Sequence, residues 1–141
     1  MRFVKKVMFL CTANSCRSQM AEGFAKEIYK GVVEVYSAGL MSATVHKKAI
    51  AVMKELGINI SGQKSKTIDK ALLKEMDFVV TLCNNAEDLC PSTPPETRRI
   101  YWPIKDPVGT LGTEEEIMNA FRRARDEINE RIKKLKDELA H

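Results

Sequence analysis

No stretch of this sequence approaches the roughly 18 consecutive apolar residues that a membrane-spanning helix needs, which argues against a membrane protein. The N-terminus, MRFVKKVMFLCTANSC, lacks the long apolar region and small-residue cleavage site of a secretory leader, so it is expected to stay in the mature chain. Aromatic side chains make up only 6% of the residues, and no dense basic arm with interleaved aromatics occurs. That absence removes the usual footprint of nucleic-acid binding. Repeats, linkers and low-complexity tracts are missing as well. What remains is one domain over residues 1–141, 44% hydrophobic, large enough to bury a core without disulfides or metal and too apolar to be disordered.

The net charge of +4 is scattered. Residues 1–112 carry a balance of +5 and residues 113–141 a balance of −1, which would draw small anions weakly and nothing larger. Four cysteines are more telling. Without a leader they point to a reducing cytoplasm, where cysteines are more often catalytic, redox or metal-binding than structural.

Residues 3–10 form an apolar run that reads as a strand, and from Ser18 the pattern turns helical, with Ala21, Phe24, Ala25 and Ile28 on one face and Gly31 as its end. A short strand at 32–36 leads to a turn, Ser37-Ala38-Gly39. A second helix is expected over 47–56 with Ile50, Met53 and Leu56 inward, and a third over 67–76. Strands follow at 78–82 and 99–104, the last closed by Pro103. Thr113 and Glu116 make a capping box, after which Ile117, Phe121, Ala124, Ile128, Ile132, Leu135 and Leu139 recur at helical spacing. This alternation predicts an α/β fold: a four-stranded open parallel sheet with right-handed crossovers, flanked by helices. Ligands of such sheets sit beyond the carboxyl ends of the strands, so the residues after Leu10, Leu82 and Ile104 are the candidates.

After Leu10 comes Cys11-Thr12-Ala13-Asn14-Ser15-Cys16-Arg17-Ser18. A cysteine, five residues and an arginine between a strand and a helix make a phosphate-type oxyanion loop. Its backbone N–H groups turn inward, the helix N-terminus adds partial positive charge, and Arg17 offers a two-pronged donor. The same field favours the thiolate of Cys11, the nucleophilic form. Ser18 is placed to donate to that sulfur, and Asn14 suits an unusual backbone conformation. Cys16 reads as a small buried thiol without chemistry. The plain alternative is a buried Cys11 and an exposed Arg17.

Cys83 follows the third strand and therefore shares an edge with Cys11, with Cys90 seven residues on. A short helix between them, capped by an Asn, would hold their Cα atoms about 10.5 Å apart. A disulfide needs roughly 4.4–6.8 Å. If the helix forms, the two can pair only when it unwinds, so the pair would be a switch as well as a redox couple. Two unrelated thiols are the plain alternative. A zinc site fits these spacings poorly and would set Arg17 against the cation, so no metal is expected. Asp106, in Asp106-Pro107 after the fourth strand, reaches the same edge. Facing an oxyanion, its carboxyl can stay protonated and serve as general acid; otherwise it is a turn initiator.

Taken together, the segment 11–23 (CTANSCRSQMAEG), Tyr-Ser-Ala-Gly at 36–39, Val-Thr-Leu-Cys at 80–83, Cys90-Pro91 and Asp106-Pro107 resemble the thioredoxin-coupled arsenate reductases, built on the low-molecular-weight protein tyrosine phosphatase fold. The resemblance runs over essentially the whole chain. It implies that Cys11 attacks arsenate held by the loop and Arg17 while Asp106 protonates the departing oxygen. It further implies that Cys83 then displaces arsenite to leave a Cys11–Cys83 disulfide, and that Cys90 resolves this to Cys83–Cys90 for thioredoxin or a similar dithiol protein to reduce. No flavin or nicotinamide is needed at the site, and a monomer is the default. Some relatives hold potassium with an Asn, a Glu, a Ser and an acidic residue. Asn14, Glu22 and Ser37 match, but Lys66 stands at the fourth position, so no potassium dependence is expected. Phosphatases of the fold resemble Cys-Arg-Ser-Pro in the loop and carry aromatics after the Asp-Pro. Here Gln19 and Val108-Gly109 stand instead, and Cys83 and Cys90 would have no purpose. A phosphatase remains the competing enzyme reading, and an oxyanion-binding or redox-sensing module the non-enzymatic one.

Overall fold

Alternating strand and helix signals become β1 (Lys5–Cys11), α1 (Arg17–Ile28), β2 (Val33–Gly39), α2 (Lys47–Lys54), α3 (Lys70–Leu73), β3 (Phe78–Thr81), α4 (Asn84–Leu89), β4 (Arg98–Tyr101) and α5 (Glu114–Leu139). The computed structural model describes residues 5–139; Phe3 and Val4, expected to open the first strand, lie outside them. The four strands form one sheet in the order β2-β1-β3-β4, all neighbours parallel. Cys11 of β1 pairs with Gly39 of β2, and Thr81 of β3 with Leu10 and Tyr101. The chain reverses its direction of build between β1 and β3. A parallel sheet opens its ligand crevice at that switch point, beyond the carboxyl ends.

Burial follows from this order. Val7, Met8, Phe9 and Leu10 of the central β1 are all buried, as expected of a parallel strand covered on both faces. The edge strand β4 instead exposes Arg98, Arg99 and Tyr101, charged or polar side chains that discourage further pairing. α1 packs on β1, β2, α2 and α5, and α5 also packs on α2. The capping box of α5 is reciprocal: Glu116 N–H donates to Thr113 Oγ1 and Thr113 N–H to Glu116 Oε1, each at 3.1 Å. Arg122 and Arg125 reach Glu55 at the end of α2 at 2.8 and 2.7 Å. These bonds, that from Arg122 foremost, hold the Glu55 carboxyl down at about 2.

Four elements differ from the sequence reading, two of them for a plain tertiary reason; the last strand, expected over 99–104, is Arg98–Tyr101. Ser37-Ala38-Gly39 is not a turn but the last part of β2, because β1 continues alongside it to Cys11. The helix expected over 67–76 shrinks to one turn. Gly39 N–H donates to Lys66 O and Ile68 N–H to Gly39 O, which holds the chain extended where the helix would have begun. α2 stops at Lys54, leaving Leu56 46% exposed in the following turn rather than inward.

Candidate active site

The site is assembled at the carboxyl ends of β1 and β3. Cys11 ends β1, and the loop it opens runs straight into α1, whose first residue is Arg17. No side chain caps α1, since its N-cap is Cys16. Its first N–H groups are therefore left for a ligand, and the helix dipole favours an anion there. Arg17, though a cation, is buried. It donates from Nη1 to Ile104 O at 3.0 Å and toward Leu82 O at 3.5 Å, which fixes the guanidinium against the strand ends. Its Nη2 lies 3.3 Å from Asp106 Oδ2. Asp106 is 46% exposed and also accepts Val108 N–H at 3.0 Å. The Asp-Pro turn and the position facing the cleft thus coexist.

Asn14 holds the loop in shape. It is the one non-glycine residue with positive φ (48°) among those described, a conformation that Asn tolerates better than most. Its Nδ2 donates to Ser18 Oγ at 2.8 Å and Ser37 Oγ at 3.0 Å, while its Oδ1 accepts Lys66 N–H at 2.8 Å. Ser18 Oγ lies 2.8 Å from Cys11 Sγ. Because Ser18 already accepts from Asn14, its own proton is free to point at the sulfur, as a donor that stabilises thiolate. Ser37 likewise accepts from Asn14 and donates to Glu22 Oε1. Cys16 is buried, and desolvation raises its thiol far above the ordinary range, consistent with a space-filling role.

The donor set matched to potassium does not fit a cation here. Glu22 is met by Lys26 Nζ at 2.5 Å on one oxygen and by Lys66 Nζ at 3.7 Å on the other. Asn14 and Ser37 are engaged with each other.

Cys83 stands beside this loop: its Sγ lies 3.3 Å from Thr12 Oγ1. It also accepts Ala86 N–H at 3.4 Å, so the cap of α4 is the cysteine itself and not an Asn. Cys90 is the residue after α4, half-buried. Burial raises its thiol pKa, with the Arg99 charge opposing and the Glu87 charge adding. All four cysteines are free thiols. An open cleft of about 590 Å³ is lined by Thr12, Arg17, Cys83, Asn84, Tyr101 and Asp106 among others, with the buried Cys11 beneath its loop and Cys90 outside its lining. No cluster of three or more His, Cys, Asp or Glu suited to a metal occurs among the described residues.

Four supporting residues were not legible as such. Gln19, fully buried, donates to Asn14 O and Lys64 O at 3.0 Å. Ser65 donates to Ala13 O at 2.8 Å, and His46 N–H to Ser15 O at 2.8 Å. Gly39 is required by close approach: a Cβ there would lie 2.7 Å from Asn14 N and 2.9 Å from Thr12 O. Gly39 left a trace as the glycine of a presumed turn, and Gln19 only as the residue standing where a phosphatase loop carries Pro.

The sequence profile of low molecular weight phosphotyrosine protein phosphatases matches residues 6–141. The chain belongs to that family. Within it, the chain is 52% identical to an arsenate reductase of Halalkalibacterium halodurans over 129 residues, 92% of this chain and 93% of the relative. A solved arsenate reductase in a phosphate-binding state superposes with a TM-score of 0.78 at 41% identity, covering 96% of this chain and 99% of that one. A thioredoxin-dependent arsenate reductase of Corynebacterium glutamicum gives a TM-score of 0.78 at 27% identity, covering 96% of this chain and 62% of that one. No helix among the described residues is long and apolar enough to cross a membrane.

Proposed function

We propose that this protein reduces arsenate to arsenite by a three-cysteine relay, with thioredoxin or a similar dithiol protein as the final reductant. The observation that carries the reading is the second thiol: Cys83 Sγ touches Thr12 of the oxyanion loop that Cys11 opens. Phosphate ester hydrolysis has no use for it. The 52% identical relative named arsenate reductase and the thioredoxin-dependent structural neighbour support the same reading.

The chemistry follows from the groups in place. Arsenate binds the loop N–H groups and Arg17, whose Nη2 is taken over from Asp106 by the oxyanion while Nη1 stays on Ile104 O. Cys11 thiolate attacks arsenic, and an oxygen departs as water with Asp106, as general acid, supplying the proton. Ser18 holds the sulfur in line. Cys83 thiolate then attacks Cys11 Sγ; the S–As bond breaks with its electron pair moving to arsenic, which leaves as arsenite. Cys90 attacks Cys83, releasing Cys11 thiolate and forming Cys83–Cys90, and two electrons from the dithiol partner restore both thiols. The reducing cytoplasm is the place and a monomer the unit that this reading takes.

The test supplies arsenate, thioredoxin, its reductase and NADPH and follows arsenite. Cys11→Ser, Cys83→Ser and Cys90→Ser are each expected to abolish cycling, while only Cys11→Ser abolishes aryl phosphate hydrolysis. Full turnover by Cys90→Ser would sink the relay, and brisk phosphatase activity without arsenite would select the phosphatase. Arsenate bound without turnover would select the binding module. Replacing sodium by potassium at constant ionic strength is expected to leave the rate unchanged, because Lys26 and Lys66 already meet Glu22.

A further inference from the structure

α4 is six residues long and buries one of them, Ala86; its Leu89 is 67% exposed. Isolated helices shorter than about 12–15 residues are marginal in water, so something outside α4 must keep it helical. Its cap is a thiol sulfur, a weak acceptor. The stronger bonds come from one carboxylate. Glu87 Oε2 accepts the Thr81 hydroxyl of β3 at 2.8 Å, and Glu87 Oε1 pairs with Arg99 Nη2 of β4 at 3.2 Å. A second tether joins Tyr101 OH of β4 to Asn84 Oδ1 at the first residue of the helix.

We infer that Glu87 is the latch of the redox helix: by bridging β3 and β4 it holds α4 wound and so sets how readily Cys90 reaches Cys83. The inference rests on the relay reading above. In the resolving step the Cys90 thiolate attacks Cys83 Sγ of the Cys11–Cys83 disulfide. The 83–90 bond forms, the 11–83 bond breaks, and Cys11 departs as thiolate with no net gain or loss of electrons. Seven residue steps of wound chain separate the two cysteines by about 10.5 Å, beyond the roughly 4.4–6.8 Å of a disulfide. Closure therefore unwinds α4, and unwinding releases both bonds of Glu87. The latch belongs to the dithiol state alone. It stabilises that state and raises the reduction potential of the pair.

The latch has a further property that a buried contact would lack. Both of its partners sit on the sheet, Thr81 on β3 and Arg99 on β4, and neither needs to move when the helix opens. The helix can leave and return to the same two groups after the disulfide has been reduced.

The test is redox titration of the Cys83–Cys90 pair in a thiol–disulfide buffer, for the parent, Glu87→Gln, Glu87→Ala and Arg99→Met. Glu87→Ala is expected to favour the disulfide about tenfold, equivalent to about 30 mV more negative for a two-electron couple. Glu87→Gln, which keeps an acceptor for Thr81, should give a smaller shift of the same sign. The pair of Glu87→Ala with Arg99→Met should shift no further than Glu87→Ala alone. In the dithiol state, amide exchange within α4 should speed up in Glu87→Ala, while aryl phosphate hydrolysis, whose cleft Glu87 does not line, stays at the parent rate. An unchanged or less negative potential in Glu87→Ala, or unchanged exchange in α4, overturns the latch. Failure of the parent to form Cys83–Cys90 during arsenate turnover would instead overturn the relay, and the exchange measurement would still show whether Glu87 holds the helix.

Discussion

The loop of residues 11–18, which Cys11 opens, and the helix α4, flanked by Cys83 and Cys90, lie side by side at one sheet edge, yet they are held in opposite ways. The loop is tied by side chains from three separate segments, with Gln19, Ser37 and Ser65 all bonded to it or to Asn14. α4 buries one side chain and depends on polar tethers at its surface. The difference matches the two tasks that the proposed relay sets. Stabilising an oxyanion requires donors fixed before the charge develops, whereas bringing Cys90 to Cys83 requires an element that opens at low cost. The family fold supplies the first, and the cysteine pair depends on the second.

The sharpest way to break this comparison is Gly39→Ala. A Cβ at this position would press on backbone atoms of Asn14, Thr12 and Met41, none of them the end of a flexible side chain. Stability measured by urea denaturation should fall by about 3 kcal/mol, and aryl phosphate hydrolysis by about 100-fold as the loop is displaced. A variant close to the parent in both would show that the loop yields, and the contrast with α4 would lose its basis.

A milder pair of changes sharpens it. Asn14→Ala removes bonds to Ser18, Ser37 and Lys66 and leaves a residue less tolerant of positive φ, at an expected cost of about 2–3 kcal/mol. Leu89→Ala on α4 should stay within about 0.5 kcal/mol, as surface changes usually do. Equal losses from the two would mean that α4 is as firmly held as the loop.

The same contrast explains what could be read from sequence. Cys11, Arg17, Ser18 and Asn14 were legible because a strand, a short loop and a helix set them in place over eight consecutive residues. Cys83 and Asp106 were legible because a strand precedes each. Ser65 was not, since its partner Ala13 comes from 52 residues away and no local period marks it, and Gln19, although only five residues from Asn14, stands out in the sequence only where a phosphatase loop carries Pro. The one-turn α3 was misread for a similar reason: β2 claims the backbone of residues 66–68 through Gly39, which local helix propensity cannot foresee. Gly39 itself was read as turn chemistry when its purpose is to let two backbones touch.

The smallest expected effect concerns a titrating ring on a residue whose backbone N–H holds the loop. His46 caps α2 through Nδ1, which accepts Lys48 N–H at 3.1 Å, while its backbone N–H holds Ser15 O. The ring packs on Phe121 of α5 with centroids 5.0 Å apart. Burial first, and then the Lys48 charge, lower its pKa below the ordinary value, with Asp106 opposing. A protonated Nδ1 can no longer accept, so the cap exists only in the neutral ring. Its contribution is complete above the unfolded value of about 6.5 and is lost as pH falls through the lowered folded value. His46→Asn keeps an acceptor that does not titrate. Between about pH 7.5 and about pH 5 the parent should therefore lose about 0.5–1 kcal/mol more stability than this variant, the modest end of an N-cap's worth for a ring partly open to water. Matching losses in urea denaturation at the two pH values would remove His46 as the cause. Glu87→Ala provides the control, because its carboxylate supports α4 and makes no contact with this cap, so its pH response should follow the parent.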